Sequence, residues 1–401
     1  LIERVFKAFR YTDFRRMWIG ACLSSVGTWM QKLAQSWLVY ELTNSAFSLA
    51  VDAFLGEIPI FLFSLLGGVA ADRMDRRKLL LISQFIQMAC ALLLAAMLFN
   101  GSVRVELIYC LSFIVGTAQA FGGPAYQSII PSLVPKEDLQ NAIALNSIQF
   151  NLARVIGPVI GGIAMAQLGA AWCFTLNGLS FIAVIISLLM LPARLPVGTK
   201  KESPVEAMKG GISFVRNREG MLALIVLAFL MTLLGLPLIT FLPVMARDVL
   251  HLGADAYSTL LSVSGLGSVT GALIVAGMNN VVHKGRMALF ILTLLGLITI
   301  AFALSKTFWL SCVILFAGGA ALIAVFALVT SLVQLQTTDE MRGRVMSVYN
   351  VAFRGGMPFG NLTSGRLMQT FGAPEILAIN GGLLVALAVY FLLVQRKIAR
   401  I

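Results

Sequence analysis

Charge is what this chain of 401 residues lacks most: Asp, Glu, Lys and Arg make up 12% of it, against 59% hydrophobic residues. Too few polar side chains remain to cover a water-soluble globule of that size. Histidine is nearly absent, with only His251 and His283, which cannot form a His-Glu-x-x-His metal site. The sequence contains neither a Gly-x-x-x-x-Gly-Lys-[Ser/Thr] phosphate loop for an ATP-driven pump nor a Gly-x-Ser-x-Gly nucleophile turn. It therefore implies no nucleotide, no metal and no cofactor. The five cysteines, Cys22, Cys90, Cys110, Cys173 and Cys312, fall singly in apolar runs, as packing residues rather than ligands or a disulfide framework. A net charge of +12 would suggest nucleic acid in a soluble protein. Here its placement argues against a nucleic-acid partner.

What the chain has instead is long apolar runs, which exclude a β-barrel. At about 20 residues per span across roughly 30 Å of hydrocarbon, the chain has room for about twelve helices. The runs place them at roughly 17–40, 47–71, 79–99, 106–130, 141–167, 172–192, 219–243, 257–279, 287–304, 308–333, 345–369 and 375–395. Most of the 30 lysines and arginines lie in the N-terminal arm, the C-terminal tail and every second connection, whereas Arg104, Arg247, Lys306 and Arg366 mark the opposite side. That asymmetry puts both termini in the cytosol. Leu1 to Arg16 sets Val5, Phe6 and Phe9 among Arg4, Lys7 and Arg10, an amphipathic segment suited to the inner leaflet. It is not a cleavable signal, because the apolar run behind it continues as a full span. With Leu rather than Met at position 1, a few residues are expected to precede it.

The longest polar interval, Pro192 to Arg218, carries Arg194, Lys200, Lys201, Lys209, Arg216 and Arg218 with Pro196 and Pro204, and reads as a cytoplasmic linker. Within it Ser203 to Arg218 can form an amphipathic surface helix, with Val205, Met208, Ile212 and Val215 near one face. The chain thus divides into a half over 1–192, a linker over 193–218 and a half over 219–401. An internal repeat joins the halves. Arg154-x-x-x-Pro158 in the fifth span returns as Arg354-x-x-x-Pro358 in the eleventh, and Glu137-Asp138-Leu139 before one matches Asp339-Glu340-Met341 before the other. The basic turn between the second and third spans has a degraded counterpart in His283-Lys284-Gly285-Arg286.

That basic turn, Gly68-x-x-x-Asp72-Arg73-x-x-Arg76-Arg77, resembles the loop signature of the major facilitator superfamily, with Asp75 where the signature usually has Gly. Gly157-Pro158-Val159-Ile160-Gly161-Gly162 resembles the antiport-associated Gly-Pro-x-x-Gly-Gly of the same superfamily. Together with Trp37-Leu38-Val39-Tyr40-Glu41-Leu42-Thr43, the pattern is most similar to the subgroup of enterobactin and macrolide exporters. The resemblance covers essentially the whole chain. It implies an all-α integral membrane protein of twelve transmembrane helices in two pseudo-symmetric six-helix halves. It further implies a secondary active transporter and not an enzyme, monomeric, in the bacterial cytoplasmic (inner) membrane. Its substrate path would lie between the halves, which rock to give alternating access. Export of small amphipathic organic molecules by proton antiport is the direction implied, with substrate, protons and membrane lipid as partners. The resemblance also makes Gly68, Asp72, Arg73, Arg76 and Arg77 a conformational latch, Asp72 facing the start of the eleventh span near Arg342 and Gly343, and makes Gly157, Pro158, Gly161 and Gly162 an antiport-type helix motif. A passive facilitator, an importer or a lipid transporter of the same fold stays open, as does a membrane-embedded enzyme with Glu57 as general base.

Charges inside spans cost about 2.5–3.5 kcal/mol at the bilayer centre even on permissive scales, so they mark function. Five stand out: Lys32, Asp52, Glu57, Arg154 and Arg354. Counted from the cytoplasmic ends at about 1.5 Å per residue, Lys32, Glu57 and Arg154 each lie roughly 20–23 Å deep and can meet. Glu57 is the first candidate for proton coupling, its alternative being a structural partner of Lys32 or Arg154. Asp52 is the second, nearer the outer boundary and solvated there. Thr28, Lys32 and Gln35 share a face of the first span, Ser147, Asn151, Arg154 and Pro158 one of the fifth, and Asn350, Arg354, Pro358 and Asn361 one of the eleventh. With Gln119 and Tyr126 of the fourth span, they are the substrate-contact candidates of a water-filled cavity.

Overall fold

The structure, a computed structural model, describes residues 6–191, 204–278, 283–395 and 398. Arg4 and Val5 of the arm, and Arg194, Pro196, Lys200 and Lys201 of the linker, lie outside the described residues, as does the side chain of Val205. The described residues are almost entirely helical, and the long helices follow the expected spans. They are α1 (Thr12–Thr43), α2 (Ala46–Arg73), α3 (Arg76–Phe99), α4 (Val105–Ile129), α5 (Leu139–Leu168), α6 (Ala170–Leu189), α7 (Met221–Gly235), α8 (Ala254–Gly277), α9 (Lys284–Leu304), α10 (Phe308–Leu335), α11 (Arg342–Phe371) and α12 (Ala373–Val389).

Among the described residues ten helical segments are long and apolar enough to cross a membrane, the seventh only when counted from Met221 through Val249. The other two, α1 and α11, have ample length at 32 and 30 residues but carry more charge, including Lys32 and Glu41 in one and Arg344, Arg354 and Arg366 in the other. A span that keeps charge turns it to protein or water rather than to lipid. The seventh span differs from expectation. Helix α7 stops ahead of Pro237, and short turns over Pro237–Thr240 and Leu242–Val244 lead to a π turn at Met245–Val249. Pro237 and Pro243 remove two backbone donors within seven residues, so a regular helix cannot run through.

Two compact units are present: Leu1–Leu42 with Leu55–Lys201, and Thr43–Phe54 with Glu202–Ile401. The first is centred on Phe14, Met17, Leu80, Ile129, Leu145 and Leu188, the second on Met221, Leu224, Met231, Leu292, Leu322 and Val329. In the second unit the opening turns of α2 pack on α11, where Gln369 Nε2 donates to Ser45 Oγ at 2.8 Å and Phe54 meets Phe359 edge to face at 6.1 Å.

The repeat read from sequence reappears as packing. In the first unit α3 lies against α4 and α6, and in the second α9 lies against α10 and α12, the same partners six spans later. Likewise α5 seats on α1 and α11 seats on α7. Both units also turn between their fifth and sixth helices on a glycine of almost identical conformation, Gly169 (φ 91°, ψ 164°) and Gly372 (φ 93°, ψ 157°). That region of backbone space is essentially closed to residues with a Cβ.

The linker helix, Pro204–Asn217, packs on α11 rather than resting only on the membrane surface. A Cβ at Gly211 would stand 2.6 Å from the Arg344 carbonyl oxygen, and Val215 is buried while Ile212 is exposed. The buried face is set by Gly211 and Val215, so Ile212 falls outside the stripe that the apolar spacing suggested.

Candidate functional site

Two of the five span charges, Lys32 and Arg154, lie against one indole, and a third, Glu57, pairs with Lys32. Lys32 of α1 reaches Glu57 of α2, Nζ to Oε1 3.8 Å. One turn before Lys32, the Trp29 ring lies 5.4 Å from the Lys32 ammonium and 5.6 Å from the Arg154 guanidinium of α5. Among the described residues Arg154 has no hydrogen bond or ion pair, so Trp29 is its electrostatic partner through the ring quadrupole. Trp29 is not singled out in the sequence, where a tryptophan in an apolar span is ordinary. Its i, i+3 spacing to Lys32 was the available signal.

The glycines of α5 make this arrangement possible. A Cβ at Gly157 would stand 2.5 Å from the Trp29 Cβ and 2.8 Å from the Val26 carbonyl oxygen. One at Gly161 would press on Met30 and Leu33 at 3.1 Å. Helix α5 runs unbroken through Pro158, with Gly157, Pro158, Gly161 and Gly162 buried, and the close approach brings Arg154 beside the indole. Two cations and one carboxylate give the cluster a net charge of +1. The Lys32 side chain is 52% exposed and that of Glu57 21%.

The other candidates divide. Gln35 Nε2 donates to Ser112 Oγ at 2.9 Å, Gln119 Nε2 to Gln87 Oε1 at 3.2 Å, and the Tyr126 hydroxyl to Asn146 Oδ1 at 2.6 Å. Asn151 Nδ2 donates to the Ser147 carbonyl of its own helix at 2.8 Å. The bonds of Gln35, Gln119 and Tyr126 hold helices together, the common role of such residues in bundles, whereas that of Asn151 stays within its helix. Asp52, expected in solvent at the outer boundary, is instead buried. The expected polar face of α11 splits, with Asn350 and Arg354 exposed but Pro358 and Asn361 buried. Neither polar atom of the Asn361 amide has a hydrogen-bond partner among the described residues. Packing, not periodicity, decides which part of that face is open.

In the basic turn, two arginines are committed to backbone carbonyls of their own unit. Arg76 donates to Ala71 O and Ser128 O, each at 3.1 Å, and Arg77 donates to Leu189 O at 2.8 Å. They serve carbonyls at the ends of α2, α4 and α6, which lack helical partners. Gly68 has open space around its Cα, Arg73 is exposed, and Asp72 is half-buried with no hydrogen bond or ion pair among the described residues. Asp75, the departure from the signature, caps α3: its Oδ1 accepts from Arg77 N at 3.0 Å and Lys78 N at 3.4 Å. Asp75→Ala should lower stability by about 1 kcal/mol, the usual worth of an N-cap. Thermal unfolding in detergent checks this, and an unchanged transition would remove the cap's energetic role.

The N-terminal arm is pinned to protein. Asp138, in the turn before α5 and outside its apolar run, takes Lys7 Nζ at 2.6 Å, Arg10 Nη2 at 2.7 Å and the Tyr11 hydroxyl at 2.7 Å. Asn141 Oδ1 accepts from Ala8 N at 2.9 Å, and Phe9 packs on Trp18 with ring centroids 4.9 Å apart. The Lys7 ammonium, then the Tyr11 hydroxyl, hold the Asp138 carboxyl well down, to about 2. Because its folded value is depressed, the clamp is fully present above the ordinary Asp value of about 3.9 and is lost as pH falls through about 2. Asp138→Asn should therefore expose the arm to limited proteolysis at pH 7, while the wild type stays protected down to about pH 4. Equal cleavage of the two would contradict the clamp.

A helical bundle whose packing repeats after six spans has the architecture of the major facilitator fold. Solved structures of that fold superpose along the chain. The nucleoside transporter NupG gives a TM-score of 0.75 at 15% identity, over 95% of this chain and 98% of that one. A bacterial homolog of the human lysosomal transporter Spinster gives 0.74 at 16%, over 96% and 98%. The family model described as transmembrane secretion effector matches residues 4–399, and the chain belongs to that family of the major facilitator superfamily. It is 24% identical to macrolide efflux protein A of Streptococcus pyogenes over 391 residues, 94% of each chain. It is 26% identical to the enterobactin exporter EntS of Escherichia coli O1:K1 / APEC over 394 residues, 96% of this chain and 92% of that one. This protein is an integral multi-pass membrane transporter of a small molecule and not an enzyme.

Proposed function

We propose that the chain exports small amphipathic organic molecules by proton antiport and alternating access. On this reading it works in a bacterial inner membrane as two six-helix halves, 1–192 and 219–401, joined by the linker 193–218, with both termini cytosolic. The named relatives, a macrolide efflux protein and an enterobactin exporter, support the outward direction and the substrate class. Proton coupling rests on the Lys32–Glu57 pair beside Trp29 and Arg154. A proton arriving from outside neutralises Glu57 and frees Lys32. Two uncompensated cations then flank the indole, which makes the cavity less attractive to a bound cation or polar substrate and favours its release. Loss of the proton to the cytosol restores the pair and readies the site for the next substrate.

The test is flux in sealed inside-out vesicles, with a macrolide and enterobactin as first probes. An antiporter accumulates its probe when the lumen is made acid. A facilitator equilibrates the probe whatever the gradient, and an importer runs the other way. Either of those results would overturn the proposal.

A further inference from the structure

Away from Trp29, the first unit carries a crevice of about 330 Å³ between α3 and α4. Ile82 and Ile86 form one wall, Phe113 and Phe121 the other, and the small residues Ser83, Thr117 and Ala118 lie between them. The trough follows from close packing behind it, where a Cβ at Gly122 would collide with the Ser83 hydroxyl. Its two hydroxyls are turned inward: Ser83 Oγ donates to Ala118 O at 2.7 Å and Thr117 Oγ1 to Phe113 O at 2.8 Å. The surface left is hydrocarbon. From Leu79 to Ile86 it runs about 10 Å along the helix. Ile82 is 55% exposed, Phe113 40% and Ile114 44%, so in a membrane protein the crevice opens on lipid.

One end is charged. Lys78 lies four residues before Ile82 and eight before Ile86, on the stripe that forms the wall. It is exposed, and its ammonium makes no hydrogen bond or ion pair among the described residues. Its neighbours Arg76 and Arg77 are spent on carbonyls. A hydrocarbon trough that ends at an unspent cation, at the basic end of α3, matches an anionic lipid in both parts. We propose that this crevice is a binding site for one anionic phospholipid, an acyl chain lying between Ile82/Ile86 and Phe113/Phe121 and the headgroup phosphate on Lys78.

The test uses full-length protein reconstituted in vesicles of equal phosphatidylglycerol and phosphatidylcholine, extracted, and read by native mass spectrometry for retained lipid. Wild type should keep phosphatidylglycerol preferentially. Lys78→Gln, an exposed change that leaves folding intact, should lower that preference about fivefold, the worth of one basic residue at an anionic surface. Thr117→Trp fills the trough and should abolish retention of both lipids, with an unchanged melting transition confirming that the variant is folded. Equal retention of the two lipids by wild type, an unchanged preference in Lys78→Gln, or undiminished retention in folded Thr117→Trp would each overturn the proposal. A free fatty acid retained in place of a diacyl lipid would overturn it as well.

Discussion

With Glu57 replaced by Gln, the transporter should bind substrate measurably though more weakly and exchange it down its gradient, but build no gradient from a pH difference. The amide keeps the shape of a protonated carboxyl and cannot lose a proton, so the site is held in one charge state. The energetic scale is clear: a difference of one pH unit sustains about a tenfold substrate gradient for each proton exchanged. Wild type should approach that ratio, whereas Glu57→Gln should stay at equal concentrations. Misfolding is a poor explanation for such a loss. The pair spans 3.8 Å with Lys32 half exposed, and an ion pair this open contributes at most about 1 kcal/mol. Uphill transport by Glu57→Gln with unchanged pH dependence would make Glu57 a structural residue.

Gly157→Val should abolish transport by another route, without touching any charge. The added Cβ meets the Trp29 Cβ at 2.5 Å and the Val26 carbonyl oxygen at 2.8 Å, positions fixed by the α1 backbone, so α1 and α5 must separate. Overpacking of this kind costs about 1–3 kcal/mol. Separation also draws Arg154 from the ring that it shares with Lys32. Gly123, with open space around it, is the control: Gly123→Ala should transport normally and be as stable as wild type or more so, since alanine is the better helix former. Gly161→Ala, whose new contacts begin at 3.1 Å, should fall between. The readouts are melting temperature and initial transport rate. A Gly157→Val protein with wild-type values of both would show that the helix contact does not position the site.

Much of this was legible in the sequence because membrane spans follow a one-dimensional rule. Apolar length placed the helices, and the Arg-x-x-x-Pro repeat marked α5 and α11 as equivalents, which the Gly169 and Gly372 turns repeat in the backbone. The same reading placed α1 and α11, although they carry more charge than the other spans. Depth counting brought Lys32 and Glu57 to one level, because a helix converts residue number into distance. Neighbours fixed by tertiary packing were not recoverable. Asp138 takes Arg10 from 128 residues away, and no local pattern announces that pairing. Asn361 is buried while Arg354, two turns earlier, is exposed, although both fall on the expected face. Asp75 looked like a lapse in a loop signature and is a helix cap, a role its position before a basic helix start could have suggested.

The claim on which the rest depends is that Glu57 exchanges a proton for substrate. It is tested most directly by adding a transported substrate to purified protein in weakly buffered detergent solution at a series of pH values and reading proton release with a pH indicator. Wild type should release protons as substrate binds, in proportion to site occupancy, and Glu57→Gln should bind without releasing any. Equal release from both proteins, or none from wild type at saturating substrate at any of those pH values, would contradict the coupling.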